Sequence, residues 1–315
     1  MGTKLMMSKQ KHSLKAKARL AAALTLLLAC SSGAHAQQAG GAKGTMIFAV
    51  SGELGTTIDP AVFVIGGKFV TPPMNEAGDD SLEKFAGEYY KEGRKYRVIS
   101  GGGEAGSLTV KRSHVADECF RTGAEVVLES PVKIGRVVLA LATDSDTLGR
   151  GQSTRRAPTD AERAAALKLA EESMRRRRVP AAALKTLGTV NLTATDLDGD
   201  GRAELVGSFV AKQGKQSRHL LFLIAVPQAD AFKTGLARHE TVVAKDLPDP
   251  SVIDEVGNAG FLSEILVDQV DLDGDRVGEV VTTGASFEGQ HYYIYKRGRA
   301  GWSRVYESSN YRCAY

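Results

Sequence analysis

Two stretches of this sequence repeat each other: TVNLTATDLDGDGRAELVGSF at 189–209 and EILVDQVDLDGDRVGEVVTTG at 264–284. They align without a gap through their acidic centres, so that Asp196 matches Asp271. In each copy, β-branched and apolar residues on both sides of an Asp-rich turn predict two strands joined by an acidic loop. A repeat of this kind indicates one supersecondary unit used twice.

Each acidic loop carries carboxylates at its first, third, fifth and ninth positions. These are Asp196, Asp198, Asp200 and Glu204 in the first loop, and Asp271, Asp273, Asp275 and Glu279 in the second. Carboxylates crowded into a tight loop repel one another until a hard cation neutralises them, and Ca²⁺ accepts six to eight oxygens with loose geometry. The backbone carbonyls of Arg202 and Val277, at position seven, would add one oxygen each. We therefore predict two calcium sites; the alternative is a solvated acidic turn without metal.

The residues after each loop exclude an EF-hand, which needs an acid at position twelve. Gly207 and Thr282 stand there, and strand-forming residues begin at position ten. The pattern D-x-D-G-D with a following Glu resembles the FG-GAP/VCBS repeats, over roughly 189–226 and 264–306. The resemblance implies extracellular, antiparallel β repeat units like propeller blades, with these carboxylates as calcium ligands. Two copies are recognisable where a closed propeller needs at least four, so closure is left open.

The two loops differ at position six. Gly201 occupies it in the first loop, where a left-handed backbone turn is usual, whereas Arg276 occupies it in the second. A side chain in that conformation adds strain, and the arginine brings a positive charge near the ion. We therefore expect the first site to bind calcium more tightly.

The rest of the chain predicts a mainly β (α+β) protein. Short β-type runs recur from Met46 to about Thr143, separated by glycine and proline turns that include Gly66-Gly67, a predicted hairpin. One long helix is expected at about 160–178, because Thr159 and Glu162 form a capping-box pattern. The predicted organisation is a leader at 1–36, a β-rich region at 37–157, a helical segment at 158–188 and the two repeats at 189–315.

Residues 1–36 have the parts of a secretory signal. A basic stretch precedes the apolar run Leu20–Ala29, and Ala34-His35-Ala36 predicts cleavage before Gln37. Alternatively, Leu27-Leu28-Ala29-Cys30 is similar to a lipobox, which would make Cys30 a lipid anchor. Both readings place the mature protein outside the cytoplasm, in the periplasm, in the medium or at the cell surface.

Charge argues against nucleic acid as a partner. The leader contains six of the 41 Lys and Arg residues and no acid, which leaves 35 basic against 37 acidic residues. A nucleic-acid-binding domain needs a basic surface, and this remainder has none in excess. No other apolar run reaches the ~18 residues that a membrane span requires.

The cysteines that remain after either form of processing are Cys119 and Cys313. An even pair in an oxidising compartment predicts a disulfide between them, with two free thiols as the alternative. Such a bond would tie the end of the chain to its N-terminal half.

The remaining motifs give no specific activity. Gly101-x-Gly103-x-x-Gly106 matches a dinucleotide fingerprint, but a strand rather than a helix follows, so we interpret it as a hairpin. The chain has no G-x-S-x-G, P-loop or H-E-x-x-H motif. We therefore expect an exported calcium-binding β-repeat protein that serves as a binding or structural module for a protein or glycan. The alternative is a secreted hydrolase with structural calcium and catalytic groups in the N-terminal region.

Overall fold

The N-terminal strands close into an antiparallel barrel. The structure is a computed structural model that describes residues 44–52, 55–286 and 289–312. The strands of this region are β1 (Thr45–Ser51), β2 (Thr57–Ile65), β3 (Lys68–Val70), β4 (Lys95–Ser100), β5 (Gly103–Ser113), β6 (Ala124–Glu129) and β7 (Ala140–Thr143). The ring runs β1, β7, β4, β5, β6, β2, and it closes because β2 pairs with β1 as well as with β6. Strand β3 lies outside the ring, on β2.

Strand β1 is buried on both faces. Met46, Phe48 and Val50 belong to the barrel core, together with residues of helix α1 (Asp79–Tyr89). Ile47 and Ala49 belong to a second core, which the barrel shares with the C-terminal sheet that contains Ile265 and Ile294. Because successive side chains of a strand point to opposite faces, a strand between two cores is apolar throughout. This explains the unbroken run MIFAV.

Glycine pairs form the turns of two hairpins in the N-terminal region, as the sequence predicts. Gly66 (φ 56°) and Gly67 (φ 74°) lie between β2 and β3. Gly101 (φ 64°) and Gly102 (φ 73°) lie between β4 and β5, where Ser100 pairs with Gly103. Positive φ at both central residues is the geometry that two-residue hairpins need. The dinucleotide-like motif is therefore a hairpin.

Helix α2 (Asp160–Arg176) follows the barrel, and the short helix α3 (Ala181–Leu184) follows α2. The Thr159 hydroxyl accepts a hydrogen bond from the Glu162 amide, and the Glu162 carboxylate accepts one from the Thr159 amide. This capping box satisfies amides that would otherwise lack a partner at the start of the helix. The buried face of α2, which includes Ala170, packs on β9 and β10 of the sheet that follows.

The C-terminal half forms two four-stranded antiparallel sheets. The first repeat sheet holds β8 (Gly188–Thr195), β9 (Glu204–Gln213), β10 (Ser217–Gln228) and β11 (Ala231–Val243). The second repeat sheet holds β12 (Glu264–Val270), β13 (Glu279–Ala285), β14 (Gly289–Gly298) and β15 (Gly301–Tyr311). Short 3-10 helices at Ala244–Asp246, Pro250–Asp254 and Asn258–Gly260 connect the sheets.

These parts stack in layers, in the order α2, first repeat sheet, second repeat sheet, barrel. In β10, Leu221 and Leu223 pack toward α2, whereas Phe222 and Ile224 pack against the second repeat sheet. In β14, Tyr295 faces the first repeat sheet, and its neighbour Ile294 lies in the core shared with the barrel. The acidic loops lie between strands of the two central layers.

The mainly β, antiparallel character expected from the sequence is confirmed. The closure of the N-terminal strands into a barrel was not predicted, because it depends on pairing β1 with β2 and β7, and β7 is distant in sequence. The described residues belong to one compact unit. Within them, no helix is both long and apolar enough to cross a bilayer. The leader, including Cys30, lies outside the described residues.

Candidate metal centre

The first acidic loop joins β8 to β9 and is closed by its own backbone amides. The Asp196 carboxylate accepts hydrogen bonds from the amides of Gly199 and Gly201, both at 2.8 Å. Glu204, the first residue of β9, accepts from the Leu197 amide at 2.9 Å. These bonds fold the chain around its carboxylates, as Asx turns do.

The second acidic loop repeats this arrangement between β12 and β13. Asp271 accepts from the amides of Gly274 at 2.7 Å and Arg276 at 2.9 Å. Glu279 accepts from the Leu272 amide at 2.7 Å. Every donor and acceptor stands at the position that its counterpart holds in the first loop. The repeated sequence therefore adopts a repeated backbone path.

Three carboxylates converge in each loop. They are Asp196, Asp198 and Glu204 in the first, and Asp271, Asp273 and Glu279 in the second. One oxygen from each residue of a group lies within 4.8 Å of the others. Calcium binds oxygen at 2.3–2.6 Å, so two oxygens on the same ion are at most about 5 Å apart. Each group is thus compact enough for its oxygens to contact one ion.

The fifth-position acids are not part of these groups. Asp200 and Asp275 are exposed, and each accepts a hydrogen bond from the amide two residues later, at 2.7 Å from Arg202 and 2.9 Å from Val277. These two carboxylates shape the turn at the loop's outer edge. Metal ligation by them, and by the carbonyls of Arg202 and Val277, stays a prediction.

Both loops use left-handed backbone at positions four and six. Gly199 and Gly201 have φ values of 71° and 83°, and Gly274 has 86°. Arg276 has φ 71°, although it carries a side chain that disfavours this region. The second loop therefore keeps the backbone path of the first at a conformational cost that glycine avoids.

The ninth-position glutamates are the most buried acids of the loops. Glu204 is 2% exposed and Glu279 is 1% exposed. Burial, helped by the neighbouring charge of Asp198, raises the pKa of Glu204 to about 7. Burial and the charge of Asp273 raise the pKa of Glu279 to about 7 as well. A divalent cation at either group would offset this unfavourable electrostatic environment.

A lysine from β14 reaches into the second loop. The Lys296 ammonium donates hydrogen bonds to Asp273, to Asp275 at 2.8 Å and to Glu279 at 3.2 Å. Burial disfavours the charge of Lys296, but the three carboxylates outweigh it and raise its pKa. The hydrogen bond from Lys296 also lowers the pKa of Asp275. Sequence analysis missed this residue.

The side-chain cation beside the first loop is an arginine, not a lysine. Arg297, the neighbour of Lys296, points to the opposite side of β14 and pairs with Asp198. The second Asp198 oxygen, Oδ1, is buried and has no hydrogen-bond partner among the described residues. The first loop therefore retains an unsatisfied oxygen within its carboxylate group.

The two loops lie side by side. The Gly278 amide in the second loop donates to the Leu197 carbonyl in the first at 2.7 Å. Leu197 and Val277 also pack into the core between the two repeat sheets. The two potential cation sites are thus joined by a backbone hydrogen bond and a shared core.

Of the two cysteines in the predicted disulfide, one lies within the described residues. Cys119 takes part in a disulfide bond, whereas Cys313 lies outside the described residues. Arg312, the residue before Cys313, donates to the Asn75 side chain, which in turn donates to the Cys119 carbonyl. The pairing of Cys119 with Cys313 stays a prediction.

A cavity of about 630 Å³ lies between part of the barrel and the second repeat sheet. His114, Asp59 and Ser263 line it. The His114 Nδ1 atom pairs with Asp117, and its Nε2 atom is buried without a partner in the described part of the chain. The structure thus shows a polar turn near Cys119 with an adjoining cavity, which no sequence pattern predicts.

Comparison of this chain with family models, with curated proteins and with solved structures found no match.

Proposed function

We propose that this chain is an exported calcium-binding β-repeat protein that acts as a binding or structural module. The observation that carries the proposal is the convergence of three carboxylates at the same positions of two loops. Oxygen ligands of this kind suit Ca²⁺, which tolerates irregular geometry better than Mg²⁺ does.

The ion would have a structural role in this proposal. Each carboxylate group joins the end of one strand to the start of the next, since Thr195 pairs with Glu204 and Val270 with Glu279. Neutralising the group would therefore stabilise the strand connection and the core beneath it. Of the two loops, the first would bind more tightly, because it has Gly201 where the second has the strained Arg276.

The test is calorimetric titration of the EDTA-treated mature protein with calcium, together with thermal unfolding. At ~1 mM calcium and a Kd of ~10⁻⁴ M, one occupied site would stabilise the fold by about 1.4 kcal/mol. Asp196→Asn should remove most of this effect, whereas Asp230→Asn, an exposed acid outside the loops, should not. Absence of both heat and a melting shift would exclude the proposal.

The relationship to FG-GAP/VCBS repeats is part of the proposal. Two four-stranded antiparallel sheets packed face to face are compatible with two blade-like units, each with an acidic loop between its first two strands. The partner in this proposal is a protein or a glycan. Binding to an array of glycans and envelope proteins, with and without EDTA, is the measurement that checks it.

Export is proposed from the leader sequence. Mass spectrometry of the mature chain should find either Gln37 or a lipid-modified Cys30 at the N-terminus. An intact leader in the mature protein would contradict export by either route.

One observation favours the second candidate, a secreted hydrolase. His114 lines the large cavity and pairs with Asp117, and its Nε2 atom has no hydrogen-bond partner among the described residues. A histidine oriented by an aspartate can act as a general base. A panel of p-nitrophenyl esters and glycosides would test for hydrolysis. Turnover should be lost in His114→Gln and kept in His291→Gln; no turnover by the wild type would contradict this candidate for those substrate classes.

A further inference from the structure

The second acidic loop contains a cation supplied by the chain itself. The Lys296 ammonium contacts three of the four acids of this loop: Asp273, Asp275 and Glu279. Asp273 and Glu279 belong to the convergent group that would hold an ion. An ammonium has three hydrogens to donate, and here each has a carboxylate partner.

A calcium ion would need the carboxylates of Asp273 and Glu279, which Lys296 already contacts. Because the converging oxygens lie within 4.8 Å of one another, there is room for one cation between them, not for an ion and an ammonium together. Calcium could enter only if Lys296 gave up its contacts with Asp273 and Glu279. The tethered ammonium competes at a high effective concentration, since it is fixed on the adjacent strand.

The first loop has no equivalent lysine. Tyr295 pairs with Val280 in the second repeat, and Ala225 pairs with Leu205 at the matching place in the first. The residue after Tyr295 is Lys296, whereas the residue after Ala225 is Val226. The only cation that pairs with a first-loop acid within the described residues is Arg297, which pairs with Asp198 and leaves Oδ1 of that residue unpartnered.

We propose that Lys296 serves as the permanent cation of the second loop, so that the folded chain binds one calcium ion, in the first loop. The second loop is then a metal-independent copy of a calcium site. This inference rests on the proposed calcium function, and it replaces the expectation of two ions.

The stoichiometry of calcium binding tests the inference. The variant Lys296→Val introduces the residue found at the matching position of the first repeat, and Lys296→Arg retains the positive charge as the matched control. Native mass spectrometry and calorimetry at 1 mM calcium should give one ion for the wild type and for Lys296→Arg, and two for Lys296→Val. Two ions in the wild type, or one in a folded Lys296→Val protein, would overturn the inference.

A second measurement needs no calcium. In EDTA, Lys296→Val leaves the second-loop acids without a cation, so its urea midpoint should fall below that of the wild type, and calcium should restore it. An unchanged midpoint in EDTA would contradict the role given to Lys296. If no variant binds calcium, but Lys296→Val is still destabilised, the proposed calcium function fails while the lysine's structural role is retained.

Discussion

At the scale of single residues, the acids that matter most are those held inside the protein. Glu204 and Asp268 are both buried, and burial raises the pKa of each to about 7. They differ in what surrounds them. Glu204 stands among other carboxylates, whereas Asp268 accepts hydrogen bonds from the amides of Gly101 and Gln269. Glu204 is therefore expected to respond to a metal ion as well as to pH, and Asp268 to pH alone.

The variant Glu204→Gln should change stability and calcium affinity in opposite directions. The amide oxygen of Gln can still accept from the Leu197 amide, while the buried negative charge is removed. Stability in EDTA should rise by about 1 kcal/mol, because the cost of burying the charge and its repulsion from Asp198 are both lost. Calcium affinity should fall at least about tenfold. Chemical unfolding and calorimetry measure the two effects.

The matched variant Glu279→Gln should stabilise the protein less than Glu204→Gln does in EDTA. Burial disfavours both charges, but Glu279 is a partner of Lys296, so removing its charge also breaks an ion pair. Equal stabilisation by both variants would contradict the different roles assigned to the two loops.

Asp268→Asn tests a pH dependence. Asp268 keeps its proton up to about pH 7 in the folded protein, whereas an unfolded aspartate loses it near pH 4. Between these values the folded state binds more protons, so the free energy of unfolding falls as pH rises and levels off above pH 7. The stability of Asp268→Asn relative to wild type should rise by about 3 kcal/mol across this range. Urea titrations at several pH values in EDTA measure it, and a constant difference would be the contrary result.

At the scale of elements, the two acidic loops show how one backbone path accepts two sequences. Gly201 and Arg276 have nearly the same left-handed φ, and only the glycine adopts it without a steric cost. Arg276→Gly should therefore stabilise the protein by about 1 kcal/mol. Gly201→Ala should destabilise it by a similar amount through the backbone alone, because an added β-carbon meets no atom within 4 Å. Urea unfolding in EDTA measures both; loss of stability in Arg276→Gly would show that the arginine side chain contributes contacts that outweigh the strain.

Local elements could be predicted from the sequence because their causes are local. The glycine pair at 66–67 specifies a hairpin, Thr159 with Glu162 specifies a helix start, and the repeated acids specify the two loops. Lys296 could not be found in this way, since its role depends on the register between β13 and β14. Aligning Lys296 with Val226 across the repeats was the signal that could have revealed it.

At the scale of the whole molecule, the fold depends on pairings between distant segments. Strand β1 pairs with β7 through Ala49 and Leu141, and no local pattern indicates that these residues meet. Hydrophobic runs such as MIFAV and HLLFLIAV predict buried strands, but they do not say which layers lie on their two faces. The barrel and the order of layers were therefore beyond sequence reasoning, although the β content was not.

The contact between barrel and second repeat sheet includes a buried polar network around Asp59. Its carboxylate accepts from the Tyr292 hydroxyl at 2.8 Å and the Thr122 hydroxyl at 2.9 Å, and it pairs with Arg312 at 2.7 Å. Asp59→Asn removes the carboxylate that faces the partly buried Arg312 guanidinium, which should cost about 2–3 kcal/mol. Tyr292→Phe removes one hydrogen bond and should cost about 1 kcal/mol.

If the shared core makes barrel and sheets one cooperative unit, these losses should shift a single unfolding transition without splitting it. Trp302, the one tryptophan of the chain, reports on the second repeat sheet by fluorescence, and far-ultraviolet circular dichroism reports on the whole chain. Tyr96→Phe is the informative control, because among the described residues the Tyr96 hydroxyl donates to the Tyr89 carbonyl, within the N-terminal part. It too should shift the Trp302 transition, since a loss inside the barrel reaches the sheet only through cooperative unfolding. If Tyr96→Phe leaves the midpoint of the Trp302 fluorescence transition unchanged but shifts the circular dichroism transition, the barrel unfolds independently.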